Sequence, residues 1–182
     1  MLILASGSPR RRELLSLITD EFEVLVSGCE EFVPEGTPAE KVPAILAEQK
    51  ALAVAKLRPE DTVIGSDTVV VLNGEIFGKP KDKEHARAML KALSGKKHFV
   101  YTGVAVAEKG AVRSFVQKTE VEFYELSDET IEKYIESLEP MDKAGSYGIQ
   151  GKGSVLVKGI VGDYFNVMGL PVAETARFLG LV

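Results

Sequence analysis

Leu2-Ile3-Leu4-Ala5-Ser6-Gly7-Ser8-Pro9-Arg10-Arg11-Arg12 reads as a short buried strand that runs straight into a helix. Ser8 is a natural N-cap, and Pro9 suits the first helical position, where its missing N–H costs nothing. A helix N-terminus leaves backbone N–H groups unpaired and carries about half a positive charge. Guanidinium groups placed there add rigid forks of donors, so the turn reads as a site for phosphate or carboxylate. A capped surface helix with solvated arginines is the competing reading. At about 100° per residue, Leu14, Leu15, Leu17 and Ile18 define the apolar side of this helix. Arg10 and Arg11 flank that side and can lean over the fold, whereas Arg12 lies nearly opposite, beside Ser16 and Thr19, and faces water.

Outward from this start, strands and helices alternate irregularly. Residues 2–5 and 23–27 read as strands, with a helix over 9–18 between them. Thr37-Pro38-Ala39-Glu40 reads as a capping box opening a long Ala-rich helix to about Lys56, with Pro43 placed to kink its first turns. Residues 61–66 and 68–72 read as two apolar strands, and Asn73-Gly74 as a hairpin turn leading back through 75–77. A helix over 83–93 precedes a long hairpin, 98–108 with 112–124, around Lys109-Gly110. Ser127-Asp128-Glu129 caps a helix to about Leu138. A Gly-rich segment over 145–153 is followed by strands around 155–158 and 162–164. Gly169-Leu170-Pro171 leads into the last helix, with Gly180 past its end. The pattern predicts an α/β fold with a mixed, strongly twisted sheet, as one folding unit over residues 1–182.

Composition narrows the function. With 182 residues, 45% hydrophobic and 27% charged, the chain is long enough for one well-buried domain or two intimately packed lobes. A net charge of -5 gives no support for generic binding to a nucleic-acid polymer or an anionic membrane, so any polyanion site is a local basic cluster. A single cysteine, Cys29, excludes an internal disulfide, and no Cys/His spacing suits zinc. No apolar run approaches the roughly 18 residues that span a bilayer. Residues 1–5 are too short for a signal h-region and their charges follow rather than precede them, so a cytoplasmic location is expected. The sequence leaves open a homodimer.

Three further segments can carry chemistry. In Val63-Ile64-Gly65-Ser66-Asp67-Thr68 an acid sits at the end of an apolar run, where a carboxylate is costly unless hydrogen-bonded, paired or bound to a cation. Asp67 therefore reads as a general base or metal ligand, with a turn-capping role as the alternative. Lys50 lies at the edge of the apolar side of its helix among Ala47, Ala51 and Ala53, small residues that permit close approach. Gly78-Lys79-Pro80 lacks the upstream glycine, spacer and Ser/Thr of a P-loop, which argues against a Walker-type ATPase. In the segment from Asp142 to Gly153, glycines let the backbone pass close to a ligand, and Gln150 can offer donor and acceptor to a base edge. The pair Glu30-Glu31 by itself reads as a solvated loop, and His85 and His98 have no company that suggests catalysis.

Taken together, S-G-S-P-R-R-R, the E-E pair, G-S-D-T-V-V, G-K-P, D-K-A-G-S-Y-G-I-Q-G and the later G-L-P resemble the Maf family of nucleotide pyrophosphatases, in family order over essentially the whole chain. The resemblance implies an elongated α/β fold related to inosine-triphosphate pyrophosphatases, with two lobes around a cleft. It implies hydrolysis of a nucleoside triphosphate between the α and β phosphates. Asp67 would be the proton acceptor; Ser8, Arg10, Arg11, Lys50 and Lys79 would hold the triphosphate; Glu31 and Asp67 would flank a divalent cation, Mg²⁺ or Mn²⁺. Arg10, Thr68 and Gln150 match the subgroup acting on dTTP and UTP (S-P-R-R, D-T, I-Q-G) rather than the 7-methyl-GTP subgroup (S-P-W-R, D-Q, S-E-G). Ser66, where Ala is commoner, is a minor departure. House-cleaning of modified pyrimidine nucleotides is a further implied role. The rival classes are a nucleotide-binding regulator of cell division without turnover, and a phosphohydrolase acting on sugar phosphates or nucleoside diphosphates.

Overall fold

The computed structural model describes residues 1–26 and 28–182. Among them, seven strands form one mixed sheet: β1 (Leu2–Leu4), β2 (Glu23–Val24), β3 (Thr62–Leu72), β4 (Glu75–Phe77), β5 (Lys97–Glu108), β6 (Ala111–Phe123) and β7 (Val157–Val161). Their order is β2-β1-β3-β5-β6-β7, with β4 paired to β3 off this path. Strands β2-β1-β3 are parallel, with Ile3 opposite Glu23 and Val63, whereas β3-β4 and β6-β7 are antiparallel. The helices are α1 (Pro9–Ser16), α2 (Val42–Ala55), α3 (Lys83–Leu93), α4 (Asp128–Glu136), α5 (Tyr164–Met168) and α6 (Val172–Leu179).

The chain divides into two compact units: Met1–Thr68, Thr102–Gln117 and Gly169–Val182 in the first, Val69–Tyr101 and Lys118–Met168 in the second. The core of the first unit gathers Ile3, Ala5, Ala47, Ala51, Val54, Val63, Ala105 and Ala107. Its small side chains bring α2 unusually close to the sheet. A Cβ on Gly65 would lie 2.1 Å from the Ala47 carbonyl oxygen, and one on Gly103 would lie 2.3 Å from the Pro43 backbone. Two glycines on neighbouring strands thus fix the height of α2 above β3 and β5.

The core of the second unit is larger-grained. On α3, Ala86, Met89, Leu90 and Leu93 are buried at helical spacing, and the Asp82 carboxylate caps the helix by accepting from the His85 N–H at 2.7 Å. On α4, Ile131, Tyr134 and Ile135 are buried, and Ser127 caps by accepting from the Thr130 N–H. His98 is buried among aromatic rings, with its Nε2 2.7 Å from the Tyr147 hydroxyl and no hydrogen-bond partner for Nδ1 among the described residues. Burial pushes its pKa down from 6.5 to about 4. The native ring therefore stays neutral in a pH range where the unfolded chain takes up a proton. Stability from this site is complete above pH 6.5 and drains away as the pH falls towards 4, by roughly 3 kcal/mol in all. Denaturant midpoints at pH 7 and pH 4.5 check this: the gap between them should narrow in His98→Gln, which cannot titrate.

Several local expectations change. Thr37 does not close a capping box; its hydroxyl donates to the Pro34 carbonyl at 2.7 Å, residues Ala39–Lys41 form a 3₁₀ turn, and α2 begins at Val42. Pro43 sits in the first turn of α2, where no donor is needed, and so does not kink the helix. The α1 helix ends at Ser16, leaving Leu17 exposed. The strand expected over 23–27 pairs only at Glu23–Val24, and Ser27 lies outside the described residues. Residues 162–164 are not a strand; α5 begins at Tyr164, and the Asp163 carboxylate accepts from the Phe165 N–H.

Candidate active site

Asp67 lies inside a single eleven-residue strand, not between two strands. A strand points successive side chains to opposite faces, and β3 uses both. Gly65 and Asp67 belong to the side met by α2, where Gly65 admits the helix backbone and Lys50 donates from Nζ to Asp67 Oδ1 at 2.5 Å. The same ammonium lies 3.1 Å from Glu31 Oε1. The Lys50 and Asp67 side chains are only 14% and 15% exposed, so water screens their pairing less than that of a surface ion pair. Glu31 is 46% exposed and brings its carboxylate to Lys50 from a loop.

Ser66 and Thr68 serve the other side of β3. The buried Ser66 hydroxyl donates to the Gly169 carbonyl at 3.1 Å. That carbonyl also accepts from Arg11 Nε at 2.9 Å, while Arg11 Nη2 donates to Thr68 Oγ1 at 3.1 Å and Nη1 to Ser6 Oγ at 3.4 Å. Thr68 Oγ1 shares a further hydrogen bond of 2.8 Å with Thr102. Three of the five guanidinium donors are thus spent on the fold, which leaves two for a ligand. Gly169 takes φ +121°, a region where a side chain would be strained, so the G-L-P segment presents its carbonyl here as glycine readily allows. Burial pushes the Arg11 pKa below its ordinary value; Asp67 opposes the shift, Arg10 adds to it and Glu31 opposes it. The guanidinium and both carboxylates therefore share one electrostatic neighbourhood.

The start of α1 forms as its sequence suggests. Ser8 accepts from the Arg11 N–H at 3.4 Å and Pro9 occupies the first turn. Ser8, Arg10 and Arg11 are half-buried, while Arg12 is exposed. The first unit therefore brings together Ser8, Arg11, Glu31, Lys50, Asp67 and Thr68, with Arg10 next to Arg11 in the chain. Lys79 and Gln150 belong to the second unit, where their segments are tied together by the Gly145 N–H donating to the Gly78 carbonyl at 3.1 Å. Lys79 is exposed and Gln150 half-buried.

Sequence reasoning missed Ser6 and Gly169 as holders of Arg11, Ser66 as a second donor to the Gly169 carbonyl, and Tyr134 and Glu139 as supports of the Gln150 loop. Ser6 and Ser66 were within reach, since Ser6 lies in the basic turn and Ser66 directly precedes Asp67. Nothing local marked Glu139, which follows a left-handed Leu138.

Two oxygen donors of separate carboxylates converge on one cationic point, now held by the Lys50 ammonium. Hard carboxylate oxygens converging on a cation are the donor type that Mg²⁺ or Mn²⁺ takes. Among the described residues no group of three or more His, Cys, Asp or Glu side chains could hold a metal ion, and no helix is long and apolar enough to cross a membrane.

Two solved structures resemble this one: the Staphylococcus aureus Ham1 protein (TM-score 0.47, 19% identity, 67% of this chain and 71% of that one) and a Mycobacterium abscessus nucleoside-triphosphatase / dITP/XTP pyrophosphatase (TM-score 0.48, 13% identity, 98% and 96%). In sequence, the chain is 54% identical over 178 residues to a dTTP/UTP pyrophosphatase of Bacillus cytotoxicus, spanning 97% of this chain and 93% of that protein. It is 50% identical to a dTTP/UTP pyrophosphatase of Bacillus cereus, over 98% and 93%. Residues 1–182 match the family described as Maf-like protein, and the chain belongs to the Maf family.

Proposed function

We propose that this protein is a single-domain nucleoside triphosphate pyrophosphatase that acts preferentially on dTTP and UTP, releasing the nucleoside monophosphate and pyrophosphate. The observation that carries the reading is the grouping of Asp67, Glu31 and Lys50 with the buttressed Arg11. The activities named for the Bacillus relatives support it.

Asp67 takes a proton from water, the water oxygen bonds to the α-phosphorus, and the bond from that phosphorus to the α–β bridging oxygen breaks. The electron pair of that bond leaves with pyrophosphate. A polyanion needs positive charge where the leaving group develops its own negative charge. Ser8, Arg10, Arg11, Lys50 and Lys79 are assigned to the phosphates on that ground. Arg11, held by Gly169, Ser6 and Thr68, is preorganised and loses little freedom on binding. Enzymes of this class generally need a divalent cation. Glu31 and Asp67 would hold Mg²⁺ or Mn²⁺, which would neutralise phosphate charge and make water more acidic. A cation bound by only two protein carboxylates leaves positions for phosphate oxygens and water, as Mg²⁺ usually requires. Arg10, Thr68 and Gln150 are assigned to base selection. Cytoplasmic work on free nucleotides suits a net charge of -5, which favours neither nucleic-acid polymers nor membranes.

Initial rates across dTTP, UTP, CTP, ATP, GTP and 7-methyl-GTP with Mg²⁺ or Mn²⁺ test this. The expected result is the highest kcat/KM on dTTP and UTP. Equal rates on ATP and UTP contradict the specificity, and saturable UTP binding without turnover contradicts the enzyme.

A further inference from the structure

The segment carrying Gln150 has little regular structure of its own. It runs through 3₁₀ turns at Ala144–Ser146 and Gly151–Leu156, with Gly145, Ser146 and Gly151 all at positive φ. The Gln150 side-chain amide makes no hydrogen bond among the described residues, so its donors and acceptor remain available to a ligand. Its selectivity then depends on how firmly the surrounding backbone is held.

That hold comes from one carboxylate. Glu139 Oε1 accepts from the Gly153 N–H and from the Tyr134 hydroxyl, each at 3.0 Å, and Oε2 accepts from the Lys152 N–H at 3.0 Å. The Tyr134 oxygen in turn accepts from the Gly148 N–H at 3.1 Å. The chain is thus gripped two residues before Gln150 through the phenol, and two and three residues after it directly. The glycines match this grip. A Cβ on Gly151 would lie 2.8 Å from Glu139 Oε2; one on Gly153 would lie 2.7 Å from the Tyr134 oxygen and 2.1 Å from the Gly148 carbonyl. Burial raises the Glu139 pKa, but the Lys152 and Gly153 N–H groups, the Tyr134 hydroxyl and Lys143 outweigh it and hold the group below its ordinary value. Burial raises the Tyr134 pKa, so the phenol keeps its proton and donates it. Charge-assisted hydrogen bonds of this kind are stronger and more directional than neutral ones.

We propose that Glu139, acting with Tyr134, is the positioning residue that sets Gln150 and through it the choice of nucleobase. The inference rests on the pyrophosphatase reading above and adds how that site obtains its specificity. Glu139 touches neither phosphate nor base; it acts through the loop backbone.

The test compares wild type, Glu139→Gln, Tyr134→Phe, Gln150→Ala and the Glu139→Gln/Gln150→Ala double variant on UTP and CTP. Glu139→Gln should lower kcat/KM for UTP about tenfold, mainly through KM, and change that for CTP less than about threefold. Tyr134→Phe, which removes only one link, should shift the UTP/CTP ratio in the same direction by about threefold; it also supplies the answer if Glu139→Gln fails to fold. The double variant should lose no more selectivity than Gln150→Ala alone. An unchanged UTP/CTP ratio in Glu139→Gln and Tyr134→Phe, or equal losses on both nucleotides, overturns the positioning role while leaving a selective wild type in place. A wild type that does not prefer UTP overturns the parent reading, and this one with it.

Discussion

Asp67→Asn should lower kcat on UTP by about 10²- to 10⁴-fold, the usual contribution of a positioned general base, while the nucleotide still binds. The amide has the shape of the carboxylate but cannot accept the water proton. The change also removes the nearer of the two anions around the Lys50 ammonium, leaving Glu31 at 3.1 Å. That second effect gives the competing account a distinct signature. If Asp67 were only the counter-ion of Lys50, its loss would lower thermal stability, and Lys50→Met would restore that stability by removing the charge that Glu31 alone then balances. The proton-acceptor account expects no recovery of turnover: Lys50→Met added to Asp67→Asn should leave it as low as before or lower. Thermal midpoints and single-turnover rates, alongside UTP binding isotherms, separate the two.

Gly65→Ala should strongly destabilise the first unit. Its Cβ would stand 2.1 Å from the Ala47 carbonyl oxygen and 2.9 Å from the Ala51 nitrogen, both backbone atoms of α2 that no side-chain rotation can move. The helix must lift from β3, opening the contacts of Ala47 and Ala51, which are fully buried. Overpacking of this kind costs about 3 kcal/mol. In a chain of this length that lowers the thermal midpoint by roughly 10 °C. Because Lys50 rides on the same helix next to Ala51, the Lys50–Asp67 pairing should loosen and activity should fall beyond what unfolding explains. Gly159→Ala is the matched control, since an added Cβ there meets nothing within 4 Å. Thermal scans of both variants check this, and a Gly65→Ala midpoint within a degree or two of wild type would contradict the close-packing account.

Elements whose signals are local were legible in the sequence. The Asn73-Gly74 and Lys109-Gly110 turns both take the positive φ angles that their hairpins need, and α3 occupies the predicted span. The sequence around Asp67 reads as two strands because a charge interrupts an apolar run, whereas the strand is continuous from Thr62 to Leu72. What permits it is a partner seventeen residues away on another element, and only the packing of α2 reveals that Lys50 fills this role. Similarly, the Thr37 hydroxyl satisfied a nearby carbonyl in place of a helix cap, two local options of similar energy that sequence does not separate. The basic turn forms the capped helix start that its sequence suggests, and Arg12 is exposed as expected. The structure adds that Arg11 is held by three elements of the first unit, including a carbonyl 158 residues away. Glu139 escaped notice for the same reason as Lys50: its meaning lies in donors from Tyr134, Lys152 and Gly153 rather than in its neighbours along the chain.

The most direct test of the central claim is the identity of the products released from UTP in the presence of Mg²⁺ or Mn²⁺, followed by phosphorus NMR. Attack at the α-phosphorus predicts UMP and pyrophosphate in equal amounts, with no orthophosphate at early times. Appearance of UDP and orthophosphate would contradict it.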